Sequence, residues 1–308
     1  EHLGPSEGVL VSVQANRRTI PNAQLIFTPD LETMEMGITR PGKDYSSLQF
    51  MPTHPSAPAD IIALGLSYIP VQLHRDFKLA VACRYLDDEP NGRQFGEMVG
   101  AEALGWIHHW DADRISSPER LNPMQLLKGL LNGVLQADDL PIIAANLRRK
   151  KHSDPIFGIV AAYLYDEVGD VDAIRRLASF YPKFDQALPF DIAMLCRAPI
   201  TQSSGGRGFS ITIPSVDRDD EAREAGLPDF AWRETRTYEY ALIAGLAPAL
   251  KAGWNRLATR GNDEFFQRLF DLRGELSQSP IATVLGHEAG AELIQAFKGP
   301  LHQRLSKG

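Results

Sequence analysis

The sequence predicts an α+β chain in two parts: an N-terminal antiparallel β-sandwich-like domain over residues 1–95, then an α-helical domain of hairpin or repeat-like character over residues 96–308. Three observations predict it. The first third alternates apolar and polar residues in short runs separated by proline and glycine. The middle carries apolar residues at the three-and-four spacing of helices, punctuated by capping residues. At 308 residues the chain exceeds the usual size of one domain, so each part is long enough to bury a core.

In the first part, Val9 to Val13 is rich in β-formers, and after a turn containing Asn16 and Pro21 the run Ala23 to Phe27 alternates. Pairing of these two runs is the simplest expectation. Further strands are expected at Met34 to Ile38, Ser47 to Met51, Ile61 to Tyr68 and Lys78 to Tyr85, and an antiparallel sandwich of roughly a hundred residues accommodates them. The segment from Ile20 to Phe27, with Pro21, Asn22 and Ala23 ahead of an alternating strand, resembles the opening of carboxypeptidase-regulatory-like sandwich modules. That resemblance implies the same sandwich.

The helices are marked more sharply. Asn122-Pro123 and Asp154-Pro155 each set a capping side chain before a proline at the first helical position, where its missing N–H is not needed. From the first start, Leu126, Leu127, Leu130, Leu131, Val134 and Leu135 make one apolar face, and Ile142, Ile143 and Leu147 follow on a second helix. From the second start, Phe157, Val160, Ala161, Leu164 and Val168 form a stripe that Gly169 can end. Asp170 caps the next helix, whose stripe is Val171, Ile174, Leu177, Ala178 and Tyr181 ahead of Pro182. Connections this short make antiparallel neighbours, so two helical hairpins are expected. No fixed repeat period decides between a solenoid and a compact bundle.

Beyond Ala187 a short helix from Leu188 to Cys196 opens at Pro189, and residues 199–236 read as a loop that includes one short strand, Phe209 to Ile213. Ile243, Leu246, Leu250, Trp254 and Leu257 share one face of a long helix that Pro248 should kink. A last pair of helices is expected at about Asp263 to Leu276 and Pro280 to Phe297.

Composition excludes several functions. No apolar run approaches the roughly 20 residues that cross a bilayer, and no signal peptide is expected. Cys83 and Cys196 lie in apolar surroundings without partner spacing, which predicts buried thiols and a reducing, cytoplasmic location. A net charge of −7 argues against a general nucleic-acid surface. Against that background Arg148, Arg149, Lys150 and Lys151 form a local basic cluster, the candidate binding residues. Cations also favour a helix C-terminus for its own sake.

Catalytic patterns are incomplete wherever they begin. His74-Arg75-Asp76 imitates a kinase catalytic loop, but Val81 stands where a metal-binding Asn belongs. His287-Glu288 begins a zinc-protease helix, yet position 291 is Ala in place of the second His. Ser203 to Gly208 is glycine-rich like a phosphate loop and lacks the lysine-hydroxyl ending. The densest set of possible metal ligands is His108, His109, Asp111 and Asp113; on a helix, His109 and Asp113 share a face. Two ligands do not make a site, so no cofactor is expected.

The phrase Asp154 to Leu164, the Gly169-Asp170 break, the helix ending Phe180-Tyr181-Pro182 and the later Gly253-Trp254 together resemble helical accessory regions of large bacterial multidomain proteins. Those regions follow caspase-like or trypsin-like peptidase domains in defence systems. The resemblance spans Pro123 to Leu257 and implies a sensing, docking or regulatory role, with any peptidase in an attached domain. The chain starts at Glu1 and ends in a basic tail, which either trimming or membership of a longer polypeptide explains. The expectation is therefore a non-catalytic protein-interaction or regulatory module whose partner is a protein or an attached catalytic domain. The alternatives are a metal-dependent hydrolase at the domain junction and a structural assembly protein.

Overall fold

A computed structural model describes residues 10–15, 23–27, 33–35, 37–41, 46–50, 59–72, 77–85, 98–108, 123–151, 154–184, 186–202, 209–216, 235–257, 264–276 and 282–305. Helices and strands are both present, so the chain is α+β. It divides into two compact units, residues 1–120 with 244–303, and residues 121–243 with 304–308. The expected division after residue 95 is not the one seen, because the sheet continues past that point and the C-terminal segment returns to the first unit.

Among the described residues the first unit holds two sheets. One contains β1 (Leu10–Ala15), β4 (Gly37–Pro41), β5 (Ser46–Phe50), β8 (Phe77–Tyr85) and β9 (Met98–His108) in the order β4-β5-β1-β8-β9. The other contains β2 (Ala23–Phe27), β3 (Thr33–Glu35), β6 (Ala59–Leu64) and β7 (Ser67–Pro70) in the order β3-β2-β6-β7. The expected pairing of β1 with β2 is thus replaced: β1 lies between β5 and β8, and β2 between β3 and β6. Nor is the first sheet purely antiparallel, since β1 runs parallel to β8 with Val13 opposite Val81. Cross-strand side-chain pairs contribute in every ladder, so a strand with a partner on each edge gains more than one held only in a local hairpin. In the second sheet Gly65, at φ +62°, makes the turn joining β6 to β7, and Ile61, Ile62, Leu64 and Ile69 are buried.

The second unit is built around one helix. It contains α1 (Pro123–Leu131), α2 (Leu140–Lys150), α3 (Pro155–Glu167), α4 (Val171–Lys183) and α5 (Phe190–Leu195), and α1, α2, α4 and α5 all pack against α3. Every residue of α3 from Pro155 to Tyr165 is buried, so the expected single stripe is instead a helix apolar all round, as a central helix must be. Its caps form as expected. Asp154 accepts a hydrogen bond from the Ile156 N–H at 2.9 Å, Gly169 ends the helix at φ +75°, and Asp170 accepts from the Ala173 N–H at 3.0 Å to open α4. The expected apolar face of α1 is less covered. Leu127 is buried, but Leu131 is 48% and Val134 72% exposed.

A two-residue strand β10 (Leu188–Pro189) precedes α5, and the Leu188 N–H donates to the Leu242 carbonyl at 2.8 Å. Residues 199–236, expected as a loop, contain more order than that: β11 (Ile200–Gln202), β12 (Phe209–Ile213) and β13 (Arg236–Ala241) make a three-stranded antiparallel sheet. Alternation selects it, with Ile211 and Ile213 buried and Thr212 paired to Thr237 at 3.1 Å.

The chain then returns to the first unit, where the expected long helix over residues 243–257 does not form. Gly245 sits at φ +77° against Val71 and Gln72, and only α6 (Lys251–Trp254) is helical before residue 257. Pro248 does not kink a helix. Its carbonyl accepts from Trp254 Nε1 at 3.2 Å and from Thr283 Oγ1 at 3.0 Å, while Trp254 Nε1 also donates to Thr283 Oγ1 at 2.7 Å. Two more helices follow as expected, α7 (Glu264–Asp271) and α8 (His287–Leu305). Tyr68 and Leu285 exchange two backbone hydrogen bonds of 2.9 Å ahead of α8, and the Tyr68 ring fills the space left by the missing side chain of Gly290.

Candidate interaction surface

The basic cluster lies at the end of α2, and local chemistry explains why the helix stops there. Pro141 in the first turn starts α2, and Leu140, Ala144 and Leu147, four and three residues apart, bury the face that meets α3. Arg148, Arg149 and Lys150 occupy the last turn, where cations offset the negative end of the helix dipole. Lys151 caps it. Its amine turns back to donate to the Arg148 carbonyl at 3.3 Å and sits 3.9 Å from the centre of the Phe180 ring on α4.

The four cations differ in environment. Arg149 and Lys150 are exposed, Arg148 is half-buried, and Lys151 is only 8% exposed. Arg148 and Lys150 lie over rings of α3, each 6.0 Å from the centre of its ring, Tyr165 for the first and Phe157 for the second. Burial, and then the neighbouring Arg148 guanidinium, pull the Lys151 amine down to about 8.

The same unit contains buried polar side chains in which sequence reasoning saw no role. The Tyr163 hydroxyl donates to the Asp191 carboxylate, and both residues are fully buried. Tyr181 is buried to 2% exposure, with its hydroxyl over the Cα of Gly158 and no hydrogen-bond partner. Burial first and Asp154 second raise its ionisation well above the ordinary phenol range, so it is neutral at all usual pH values. One signal was present in the sequence: an Asp in the first turn of a helix otherwise composed of Phe, Ile, Ala, Met and Leu needs a partner when that helix is buried.

The other expected residues are not brought to this surface. His108 ends strand β9, which pairs with β8 from Phe77 opposite His108 to Tyr85 opposite Met98, so the segment leading into the supposed ligand cluster is extended and not helical. His109, Asp111 and Asp113 lie outside the described residues, as do His74 to Asp76 and Ser203 to Gly208. His287 is exposed at the start of α8, its ring 6.2 Å from that of Tyr68. Cys196 is buried, its thiol donating to the Ala193 carbonyl at 3.3 Å; of Cys83 only the backbone, in β8, is described. Among the described residues no three His, Cys, Asp or Glu side chains gather as metal ligands, and no helix is long and apolar enough to cross a membrane. Compared with known protein families, with curated proteins and with solved structures, the chain matches none of them.

Proposed function

We propose that the chain is a non-catalytic protein-interaction or regulatory module, serving in the cytoplasm as an accessory region of a larger bacterial multidomain protein. In this reading the two sheets of the first unit stack as a sandwich, and α3 and α4 form a hairpin that supports the docking surface. One observation carries it: a run of four cations ends a helix seated on α3, which is buried from Pro155 to Tyr165, with Arg149 and Lys150 exposed. A rigid base that presents charged side chains is suited to docking, because the backbone beneath them is already ordered before binding.

Charge reversal tests it. Replacing both Arg148 and Arg149 by Glu should weaken attachment of the partner or neighbouring domain while leaving the fold intact, with a circular-dichroism melt lowered by only a few degrees as anions replace cations at the helix end. Equal attachment by the variant removes this surface from the account. The intact mass of the native protein in its source cells tests the accessory reading separately, since a mass equal to that of the 308 residues contradicts it.

A further inference from the structure

We infer that the face formed by the end of α1 and the start of α2 binds the same face of a second copy of this chain, about a two-fold axis that sets Lys128 of each copy against Asp138 and Asp139 of the other. The inference goes beyond docking at the C-terminal end of α2 and uses none of the residues there.

The first ground is apolar exposure with a local cause. Leu131, Val134 and Ile142 are all exposed, Ile142 by 64%, so three large apolar side chains face outward within one stretch of twelve residues. Helix α1 closes through Gly133 at φ +66°, whose N–H donates to the Leu130 carbonyl at 3.0 Å while the Val134 N–H donates to the Gly129 carbonyl at 2.8 Å. In such a closure an apolar residue at position 134 ordinarily packs on the side chain at position 129. Residue 129 is glycine, and Leu135 covers it instead, with its Cγ 3.4 Å from where a Cβ would stand. Val134 is therefore left outside. Ile142 is left outside because α2 turns Leu140, Ala144 and Leu147 inward. Apolar side chains gathered in this way mark an interaction face, whereas single scattered ones do not.

The second ground is charge, and it selects the occupant. Lys128 stands one helical turn before Leu131 on α1. Asp138 and Asp139 stand one turn before Ile142, in a single 3-10 turn (Ala137–Asp139) that runs straight into α2. All three charged residues are exposed, and among the described residues none of their side chains forms a hydrogen bond or an ion pair. Asp139 directly precedes α2 and still caps nothing. Each half of the face thus carries an apolar residue with charge beside it, positive on α1 and negative on α2.

A two-fold axis repeats every contact with its partners exchanged. Laying α1 of one copy on the start of α2 of the other matches Leu131 with Ile142, and the same placement matches Lys128 with Asp138 and Asp139, twice over. A foreign protein would have to reproduce that pattern, whereas a second copy already carries it. The net charge of −7 does not oppose the pairing, because charges separated by more than about 8 Å are largely screened at physiological salt. With so few apolar side chains from each copy the interface is small, so the dimer is weak and depends on concentration.

Sedimentation velocity of the full chain, from about 1 to 300 μM, tests it. The expected result is a mass that rises with concentration from one chain to two and stops there, because the face is used up in the dimer. V134D alters an exposed residue outside the helices, so it should keep the parent's melting temperature while weakening dimerisation about tenfold or more. K128E and D138K/D139K should each weaken it several-fold, and the combined K128E/D138K/D139K protein should regain most of that loss, since its pairs are restored with their signs exchanged. R148E/R149E should dimerise like the parent, which separates this test from that of the C-terminal end of α2. A single-chain mass throughout overturns the inference and leaves the face to a different protein. Parent-like dimerisation of V134D, no recovery in the combined variant, or growth beyond two copies each overturns it as well.

Discussion

Gly158 occupies the middle of α3, where alanine ordinarily stabilises a helix by about 1 kcal/mol. Here the sign should reverse. A Cβ at position 158 would collide with the Tyr181 hydroxyl, while its next neighbours, Ile192 Cδ1 and Lys151 Cβ, would be 3.4 Å away, a tight but tolerable distance. Forcing an extra methyl group into a packed core costs about 1–3 kcal/mol. Set against the helix-propensity gain, G158A should lose about 1 kcal/mol, lowering the melting temperature by about 2–4 °C. Y181F removes the hydroxyl itself, which is buried without a hydrogen-bond partner, and so should be neutral or slightly stabilising. Adding G158A to Y181F should then raise stability by up to about 1 kcal/mol, because only the ordinary contacts remain. Urea denaturation of the four proteins gives the coupling energy directly. Additivity within about 0.5 kcal/mol, or stabilisation by G158A alone, would refute the placement of α4 on α3.

Three other outcomes follow from the geometry. G245A should destabilise by about 2 kcal/mol or more in chemical denaturation, because φ is +77° and the new Cβ would lie 2.8 Å from the Val71 carbonyl and 2.7 Å from Gln72 Cγ. Arg197 follows α5 at φ +58° and is exposed, so R197G should raise stability by about 1 kcal/mol; a loss would mean that the arginine side chain contributes more than its backbone strain. Lys151 holds a proton up to 10.5 in the unfolded chain but only to about 8 in the folded one. The unfolded state therefore binds more protons between those values, and stability should climb as pH rises from about 8 to 10.5, with the full penalty present below 8. The size of the shift caps the effect at about 3 kcal/mol, and solvent screening reduces it to about 1. K151M should abolish the climb; an unchanged pH profile would contradict the buried amine.

What was legible in the sequence was what local chemistry decides. Asp154-Pro155, Gly169 and Asp170 mark the ends of α3 and α4 because caps act within a few residues, and the alternation of Phe209 to Ile213 identifies β12 for the same reason. What was illegible depends on distant partners. Met98 to His108 contains Gly100, Ala101, Ala103 and Gly105, small residues with no strong preference, and becomes a strand through β8, more than a dozen residues earlier. Ile243 to Leu257 has helical spacing, yet Gly245 in the left-handed region and Pro248 interrupt it, and the Trp254 indole N–H gains buried hydrogen bonds to the Pro248 carbonyl and the Thr283 hydroxyl. The parallel partnership of β1 with β8 joins residues about seventy apart, beyond the reach of any turn signal. At the candidate surface, the four cations and their helix end were legible, whereas the burial of Lys151 against Phe180 was not, since it requires α4 to pack beside α2's last turn.

The most direct test of docking at the end of α2 is site-specific photo-cross-linking in the source cells, with the reactive residue at position 149 and, for comparison, at Asp138, which is also exposed but precedes α2. Docking at the C-terminal end predicts a strong cross-link from position 149 to one segment, of a partner or of the same longer polypeptide, and little to that segment from position 138. Equal yields of that cross-link from the two positions, or its capture from 138 alone, would contradict it.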